Sequence, residues 1–525
     1  MEDATGDGAN VANVLFTSIS RKTLLILINF VIMGLIGIIS WKVISTNISQ
    51  ENVGIVRFAL GFLGTFSFIT NLGFGASHVK RISEGKDIGL CIGTFLTIQI
   101  FLVFVFVGVV VGSIFAWKNI IGMGFQTPHH ENVIYLMMGF FVANNLATVG
   151  FQTFVGKVEI AKNQITVLSA SFLQLISTIM IAVFFDDPYW LAVTFLVGAI
   201  ANFVIAFILL SRYPIKKPTK AMIKSYFIFA LPIFIISALG TLPPNIDSVL
   251  IQLFWDAKSV AIYRGGQIYS QYLIQISAGL GMILFPIFSK LKTGGKDQHI
   301  KEIIYKSERL MAMVVAPLAS IIFALSIPIV TLLGSSDYRA SYLVLQPMVV
   351  WAYMKAMISP YWNLIMGVGK PKVLAIVSIV SVLSIVLLDL IFIPTDIKFL
   401  NLKLLGLGAA GAAYATLLSA GITFLLIRSI AFYYQRTFLN IRIFHPIGIA
   451  IIAGISVYGL NHLLPATNFF LLMIYPILGL SVFFILMLAT KGFTEEDKAL
   501  FRNVLNPFHM IRYIREEIFG KKHSK

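Results

Sequence analysis

Five ionisable side chains lie inside long apolar stretches of this 525-residue chain: Arg57, Asp247, Arg264, Lys355 and Asp389. A charge at the centre of a bilayer costs at least ~2.5–3.5 kcal/mol, so such a group should face a watery cavity, a ligand or a partner of opposite charge. The three bases outnumber the two acids, and a guanidinium group suits phosphate oxygens. The pattern therefore predicts a cavity of slightly cationic character that favours an anionic ligand.

Amide side chains extend the polar face that begins at Arg264. Gln267, Gln271 and Gln275 follow at steps of three and four residues, which places all four side chains on one face of a helix. Such a face on an otherwise apolar helix either lines a water-filled cavity or forms hydrogen bonds between packed helices. We predict that it lines the cavity, because an arginine accompanies three amides.

The acidic residues allow two interpretations. Asp247 lies about as far before a predicted loop as Arg264 lies after it, so the two should reach similar depth and can form a structural ion pair. The alternative is that Asp247 and Asp389 couple transport to an ion. Asp389 also fits an interfacial position near the outer end of its helix.

Three further polar residues lie near the middle of apolar stretches. Asn144 and Asn145 occupy the predicted fourth span, and Lys355 occupies the tenth. If the chain is an internal repeat of six spans, these positions correspond to each other. We include all three among the residues expected to line the cavity.

The elements that must position these residues are membrane-spanning helices. Hydrophobic residues make up 58% of the chain and charged residues only 12%, and apolar runs of about 18 or more residues recur along its length, each long enough for a transmembrane helix. The sequence predicts an all-α polytopic membrane protein with about fourteen spans, near residues 23–45, 53–79, 88–117, 133–154, 163–185, 189–211, 225–254, 260–288, 310–334, 341–367, 373–394, 404–428, 443–464 and 467–490.

The distribution of basic residues predicts the orientation. The odd-numbered loops hold only six of the 40 Lys and Arg residues, namely Lys42, Lys118, Lys258, Arg339, Lys398 and Lys403. Basic residues mark the cytoplasmic side, so both termini should be cytoplasmic. The net charge of +17 then reflects loops that meet anionic lipids, and we expect no nucleic-acid partner.

Two short segments indicate an internal repeat. Arg57 and Arg264 each follow a Val-x-Ile pattern, at positions 53–55 and 260–262, and each begins a predicted even-numbered span. The predicted organisation is a disordered cytoplasmic N-terminus, two parallel six-helix halves, two further helices and a cytoplasmic amphipathic tail. Their predicted bounds are 1–18, 19–212, 213–430, 431–490 and 491–525.

The predicted tail has its own helix signal. Thr494 and Asp497 have the spacing of a capping pattern, in which a hydroxyl side chain begins a helix and an acidic side chain three residues later bonds back to it. Apolar residues then recur at helical spacing among arginines. This pattern is typical of a helix that lies on the inner leaflet.

Sequence motifs of common enzymes are absent. The chain contains no G-x-x-x-x-G-K-[ST] loop, no H-E-x-x-H and no G-x-S-x-G. Its single cysteine, Cys91, lies in an apolar span, which excludes disulfides within the chain. We expect no enzyme activity, no catalytic residue, no metal site and no cofactor.

Several segments resemble a known transporter family. Residues 51–55 and 71–81 resemble the second-helix signature of polysaccharide flippases in the multidrug/oligosaccharidyl-lipid/polysaccharide (MOP) exporter superfamily. Residues 230–247, 284–290 and 406–415 resemble parts of the seventh, eighth and twelfth helices of that family. The resemblance covers essentially the whole chain.

The resemblance implies a Wzx-type polysaccharide flippase with two six-helix lobes in a V shape, as in the MATE and MurJ transporters. It implies alternating access and a cationic central cavity, a general role that extends to Arg57, Arg264 and Lys355. The expected substrate is a polyprenyl-linked oligosaccharide carrying a pyrophosphate. Glycan-assembly enzymes of the cell membrane are candidate partners.

Two other functional classes compete with this interpretation. An ion-coupled antiporter that exports drugs or metabolites could use Asp247 or Asp389, although drug exporters of the superfamily usually have twelve helices rather than fourteen. A non-transporting scaffold within a glycan-assembly complex would leave the buried charges unexplained. The flippase hypothesis accounts for the spans, the cationic cavity and the resemblance together.

Overall fold

A computed structural model describes residues 21–119, 127–157, 159–241, 243–293, 297–397, 402–438, 440–495 and 497. These residues are almost entirely helical. The long helices are α1 (Arg21–Asn47), α2 (Gln50–Phe66), α3 (Phe74–Ser83), α4 (Ile88–Asn119), α5 (Pro128–Gly156), α6 (Ile160–Ala182), α7 (Pro188–Leu210), α8 (Lys220–Thr241), α9 (Pro243–Phe254), α10 (Ala257–Thr293), α11 (Asp297–Ala324), α12 (Tyr342–Gly367), α13 (Pro371–Phe392), α14 (Gly408–Gln435), α15 (Phe444–Leu463) and α16 (Phe469–Ala489). Two short strands, β1 (Asp396–Ile397) and β2 (Leu402–Lys403), pair antiparallel between α13 and α14.

The prediction of a polytopic helical membrane protein is confirmed. Within the described residues, ten helices are long and apolar enough to cross a membrane, or eleven if a bent pair counts as one span. Helix is present at each predicted span, but the count of fourteen membrane spans and their division into two halves remain predictions. The N-terminal segment 1–18 and most of the tail lie outside the described residues.

The start of the tail forms as its sequence predicts. The backbone N–H of Asp497 donates to Thr494 Oγ1 at 3.2 Å, and the backbone N–H of Thr494 donates to Asp497 Oδ2 at 2.9 Å. This reciprocal pair is a capping box. The carboxylate of Asp497 also accepts from Arg309 on α11 at 2.9 Å, which ties the start of the tail to the helix bundle.

The predicted second span is broken, so a single helix over 53–79 is wrong. After α2, a separate turn of helix covers Phe68–Asn71, and the two helical parts of the span differ in direction by 45°. Gly73 has φ +79°, which glycine adopts without the steric cost of a side chain. The hydroxyls of Ser67 and Thr70 bond to nearby backbone carbonyls at this point, an alternative to regular helical bonding.

One other predicted boundary is wrong. The residues between the predicted spans 260–288 and 310–334 are largely helical, because α10 continues to Thr293 and α11 begins at Asp297. Ile300 and Ile304, one helical turn apart, are fully buried, so packing stabilises this amphipathic part of α11 despite its polar composition.

Helix α2 packs very closely against α9 and α10. A Cβ atom at Gly54 would lie 1.8 Å from the backbone oxygen of Ala257, and one at Gly61 would lie 2.8 Å from the Cβ of Ser248. Both glycines therefore serve helix packing rather than cavity space. This contact joins the first predicted half of the chain (19–212) to the second (213–430).

The two predicted halves also meet at the predicted cytoplasmic end. The ring of His78 on α3 is buried between Tyr226 on α8 and Thr153 on α5, with 2.8 Å from each ring nitrogen to a hydroxyl oxygen. The Tyr226 hydroxyl also donates to the Cys91 carbonyl at 3.3 Å. His78 is thus a buried histidine whose two ring nitrogens both have partners.

Candidate functional site

The two arginines that head the predicted repeat lie on helices that pack together. Arg57 on α2 is flanked by aromatic rings, with its guanidinium carbon 5.9 Å from the ring centre of Trp41 and 5.6 Å from that of Phe195. Among the described residues, Arg57 forms no ion pair. The charge of Arg264 on α10 acts on it electrostatically, so two like charges share this region.

Polar side chains hold Arg264 in position. Its Nε donates to Ser248 Oγ at 2.9 Å, and one terminal nitrogen donates to Gln267 Oε1 at 2.6 Å. Gln267 in turn donates to the hydroxyl of Tyr263 at 3.3 Å. The first amide of the predicted stripe therefore orients the arginine.

The two buried acids lie together beside this arginine. Asp247 on α9 accepts hydrogen bonds from the hydroxyls of Tyr263 and Thr416. Asp389 on α13 is fully buried, and its charge and that of Asp247 act on each other. Neither oxygen of Asp389 has a donor partner among the described residues. Two buried carboxyls that interact in this way favour a shared proton or a bound cation.

This arrangement bears on the interpretation of the acids. The hydrogen bonds of Asp247 go to Tyr263 and Thr416, and Arg264 attracts its charge, so the structural ion pair and the coupling role both stay open. Asp389 is packed inside the helix bundle, so an exposed interfacial position is wrong. The physical reason is that α13 and α14 pack on each other and α9 contacts both, which sequence spacing cannot reveal.

A second polar site lies within the first predicted half. A cavity of about 560 Å³ opens among α1, α3, α4, α5, α6, α7 and the break that follows α2. The predicted residues Asn144 and Asn145 line it, but Arg57, Arg264 and Lys355 do not. That all of them share one cavity stays a prediction. Five further amides line the cavity: Asn71, Gln99, Gln152, Gln174 and Asn202.

Hydrogen bonds connect several residues of this cavity wall. Thr70, in the break after α2, donates to Asn145 Oδ1 at 2.7 Å, and Gln99 donates to the Thr70 carbonyl at 3.1 Å. Asn202 donates to Asn144 Oδ1 at 3.2 Å. We did not predict Gln99, Gln174 or Asn202, although each is an isolated amide within an apolar span. That signal would have identified them.

The remaining predicted residues lie on α10 and α12, and their side chains form no hydrogen bond with any described residue. Gln271, Gln275 and Lys355 are half-buried, and in the described part of the chain Lys355 has no acidic partner. The structure neither places them in the amide-lined cavity nor joins them to Arg57 and Arg264. Their role in substrate binding stays a prediction.

Comparisons with solved structures show the fold. The chain is similar to the lipid II flippase MurJ in an inward closed conformation, with a TM-score of 0.66, 14% identity, and coverage of 92% of this chain and 99% of that one. An inward-facing multidrug resistance MATE transporter of the MOP superfamily matches with a TM-score of 0.61 and 13% identity, covering 78% of this chain and 96% of that one. An outward-facing MATE transporter matches with a TM-score of 0.54 and 16% identity, covering 80% and 96%.

Comparison with sequence families shows the family to which the chain belongs. No curated protein sequence matches the chain. The model of the family described as polysaccharide biosynthesis protein matches residues 19–292, which is more than half of the chain. The helical fold agrees with this match, since both MurJ and the MATE transporters are members of the MOP superfamily. The chain belongs to the polysaccharide biosynthesis protein family and has the fold of the MOP superfamily.

Proposed function

We propose that this protein is a flippase that moves a polyprenyl-(pyro)phosphate-linked oligosaccharide from the cytoplasmic to the outer leaflet of the cell membrane. Such a substrate would serve the assembly of a surface polysaccharide or glycoprotein. The family and the fold support a membrane flippase of the MOP type. The identity of the substrate and the direction of transport are our proposals beyond the family and the fold.

One observation carries the proposal. Arg57 and Arg264 come from the two predicted halves, lie on helices that pack together, and Arg57 has no carboxylate partner among the described residues. Two neighbouring guanidinium groups repel each other, so an anion between them would be stabilised. Guanidinium groups bind phosphate oxygens with two parallel hydrogen bonds, which a (pyro)phosphate can accept.

The buried acids suit the coupling of transport to a cation. Asp247 and Asp389 lie in a buried site with the hydroxyls of Tyr263 and Thr416, and the oxygen atoms of these four side chains can coordinate a small cation. A proton or a monovalent metal ion bound there would reduce the repulsion between the carboxyls. Because Tyr263 bonds Asp247 and Gln267, and Gln267 bonds Arg264, a change at the acids can reach the arginine through three hydrogen bonds.

The proposed mechanism is alternating access between two six-helix lobes, residues 19–212 and 213–430, with residues 431–490 as two additional helices. The contacts of α2 with α9 and α10 would close the outer end, and those of α3 with α8 would close the cytoplasmic end. Lys355, Gln271 and Gln275 would line the path in other states. The positive-inside pattern supports cytoplasmic termini.

An ion-coupled antiporter is the second candidate. The paired carboxyls Asp247 and Asp389 favour it, because they could bind a coupling ion irrespective of the exported molecule. The positive charges of Arg57 and Arg264 argue against the export of cationic drugs, which they would repel.

The test is flipping by the purified full-length protein in proteoliposomes. The probes are fluorescent polyprenyl-linked oligosaccharides that differ only in the linkage: diphosphate, monophosphate or an uncharged glycoside. We expect the diphosphate to flip fastest and the glycoside not to flip. Export of cationic dyes without flipping of any polyprenyl probe, under pH or sodium gradients, would replace the flippase with the antiporter.

A further inference from the structure

The amide-lined cavity in the first predicted half has a chemistry unlike that of the arginine site. None of the described residues that line it is charged, whereas seven carry side-chain amides and several others carry hydroxyls. We propose that this cavity is a subsite that selects uncharged sugar residues of the oligosaccharide, an inference that rests on the proposed function. The arginines would bind the phosphate end, and this cavity would bind part of the glycan.

Several amides face the cavity with groups free to bind a ligand. The side chains of Gln152 and Gln174 form no hydrogen bond with any described residue. Asn202 donates to Asn144, but its own oxygen is buried without a donor. An amide offers both an acceptor oxygen and donor hydrogens, so it matches a sugar hydroxyl, which also donates and accepts.

Glycines opposite the amides leave room for them. A Cβ atom at Gly198 would lie 2.8 Å from Gln174 Oε1, and one at Gly75 would lie 3.2 Å from the amide group of Gln152. Larger residues at these two positions would displace the amides. The rings of Phe140 and Phe141, 5.3 Å apart between centres, add an apolar surface on which the C–H faces of a sugar can pack.

The backbone at this cavity gives independent support for a ligand site. The break between α2 and α3 occurs at Ser67, Thr70 and Asn71, three of the lining residues. Irregular backbone at membrane depth is tolerated where protein covers it or where it lines a cavity, and broken helices often border binding sites in transporters. The volume of about 560 Å³ also lies within the usual range for small-molecule sites.

The absence of charge sets the selectivity. A charged group moved from water into this cavity would lose its hydration without meeting a counter-charge, which is costly. An uncharged hexose or N-acetylhexosamine loses only hydroxyl and amide hydrogen bonds, and the seven amides can replace them. The cavity should therefore reject uronic acids and other acidic sugars, and it should also reject cationic drugs.

The test is binding by the full-length protein in lipid nanodiscs. The probes are polyprenyl diphosphate without sugar, the same carrier with an uncharged oligosaccharide, the same carrier with a glucuronic acid at each position in turn, and the free uncharged oligosaccharide. The variants are Gln174→Glu, Gln174→Ala and Asn202→Ala. Asn363→Ala is the matched control, because Asn363 is a half-buried amide that bonds Ser359 of its own helix, α12.

We expect wild type to bind the uncharged lipid-linked glycan at least about tenfold more tightly than polyprenyl diphosphate without sugar. The same tenfold difference should separate it from whichever glucuronate-containing probe binds best. The three cavity variants should lose that tenfold preference and bind the bare carrier like wild type, while the control keeps the preference. If the free oligosaccharide binds and the same variants weaken its binding, the sugar alone is sufficient for binding to the cavity. Its failure to bind would show that the lipid carrier is needed to deliver the sugar.

Three outcomes overturn the subsite: no preference for the uncharged glycan in wild type, equal loss in Asn363→Ala, or unchanged preference in the cavity variants. Thermal unfolding of each variant separates a binding defect from misfolding, and Gln174→Glu nearly preserves the side-chain shape. Failure of the proposed function gives a different result, since wild type would then bind none of the polyprenyl diphosphates.

Discussion

The arginine site and the amide-lined cavity differ in charge. Around Arg264, hydrogen bonds connect Ser248, Gln267 and Tyr263, and Tyr263 leads on to the acid at position 247. The amide-lined cavity has neither acids nor bases among its described residues. A substrate with a phosphate at one end and sugars at the other would present matching chemistry to each site.

Replacement of either buried acid tests the coupling hypothesis. Asp247→Asn and Asp389→Asn keep the side-chain shape but remove a carboxylate, so neither variant retains the paired carboxyls. We expect each variant to flip the substrate at a rate that no longer responds to an imposed pH or sodium gradient. The measurement is the flipping rate in proteoliposomes with and without each gradient. A gradient response equal to that of wild type in both variants would place the coupling site elsewhere.

For single residues, the sequence identifies which side chains are unusual more reliably than it identifies the side chains that they contact. Arg57, Arg264 and Asp247 stand out because charged residues are rare in apolar spans. The interaction of Asp247 with Asp389 joins α9 to α13, more than a hundred residues apart in the chain, and no local spacing predicts it.

Among the elements, α2 and α10 make the contact on which the arginine site depends. Their close approach is possible only because Gly54 has no side chain, since its Cβ would lie 1.8 Å from a backbone oxygen of α10. The apolar runs in the sequence predicted both helices. They did not predict the break after α2, which depends on the hydroxyls of Ser67 and Thr70 and on the left-handed backbone conformation of Gly73.

Gly54→Ala should destabilise the protein through this contact. The new methyl group would meet backbone atoms that cannot move without shifting a helix, so we expect a cost at the upper end of about 1–3 kcal/mol. The measurement is thermal unfolding in detergent, followed by intrinsic fluorescence. Gly108→Ala on α4 is the control, because a Cβ there would meet nothing within 4 Å. Equal midpoints for Gly54→Ala, Gly108→Ala and wild type would contradict the close packing of α2 on α10.

At the scale of the whole molecule, the predicted halves touch at several places, one of which is the bond from Lys42 on α1 to the Gly334 carbonyl. Glycine contacts join α2 to α9 and α10, and a histidine–tyrosine pair joins α3 to α8. Alternating access requires that such contacts break at one end while those at the other end hold. The sequence predicted the helical spans and the family, but it could not predict which contacts close each end, because these join distant segments.

The single cysteine of the chain makes the α3–α8 contact measurable. Cys91 is fully buried, and its carbonyl accepts a hydrogen bond from Tyr226. Tyr226→Phe removes the hydroxyl that bonds both Cys91 and His78 and leaves buried polar groups unpaired, which costs about 1–3 kcal/mol. We expect this loss to favour opening and to increase the rate of Cys91 labelling by a membrane-permeant maleimide by about tenfold or more. Tyr458→Phe, on an exposed face of α15, is the control. Labelling of Tyr226→Phe at the wild-type rate would show that this contact does not close the cytoplasmic end.

The central claim is that Arg57 and Arg264 together bind the phosphate groups of a lipid-linked oligosaccharide. The most direct measurement is the flipping rate of a fluorescent polyprenyl-diphosphate oligosaccharide in proteoliposomes, for wild type, Arg57→Ala, Arg264→Ala and the exposed control Arg339→Ala. Each bond from a charged donor is worth about 1.5–3 kcal/mol, so both site variants should flip about 10- to 100-fold more slowly while the control flips like wild type. Flipping at the wild-type rate by correctly folded Arg57→Ala and Arg264→Ala proteins would contradict the claim and would assign both arginines a structural role.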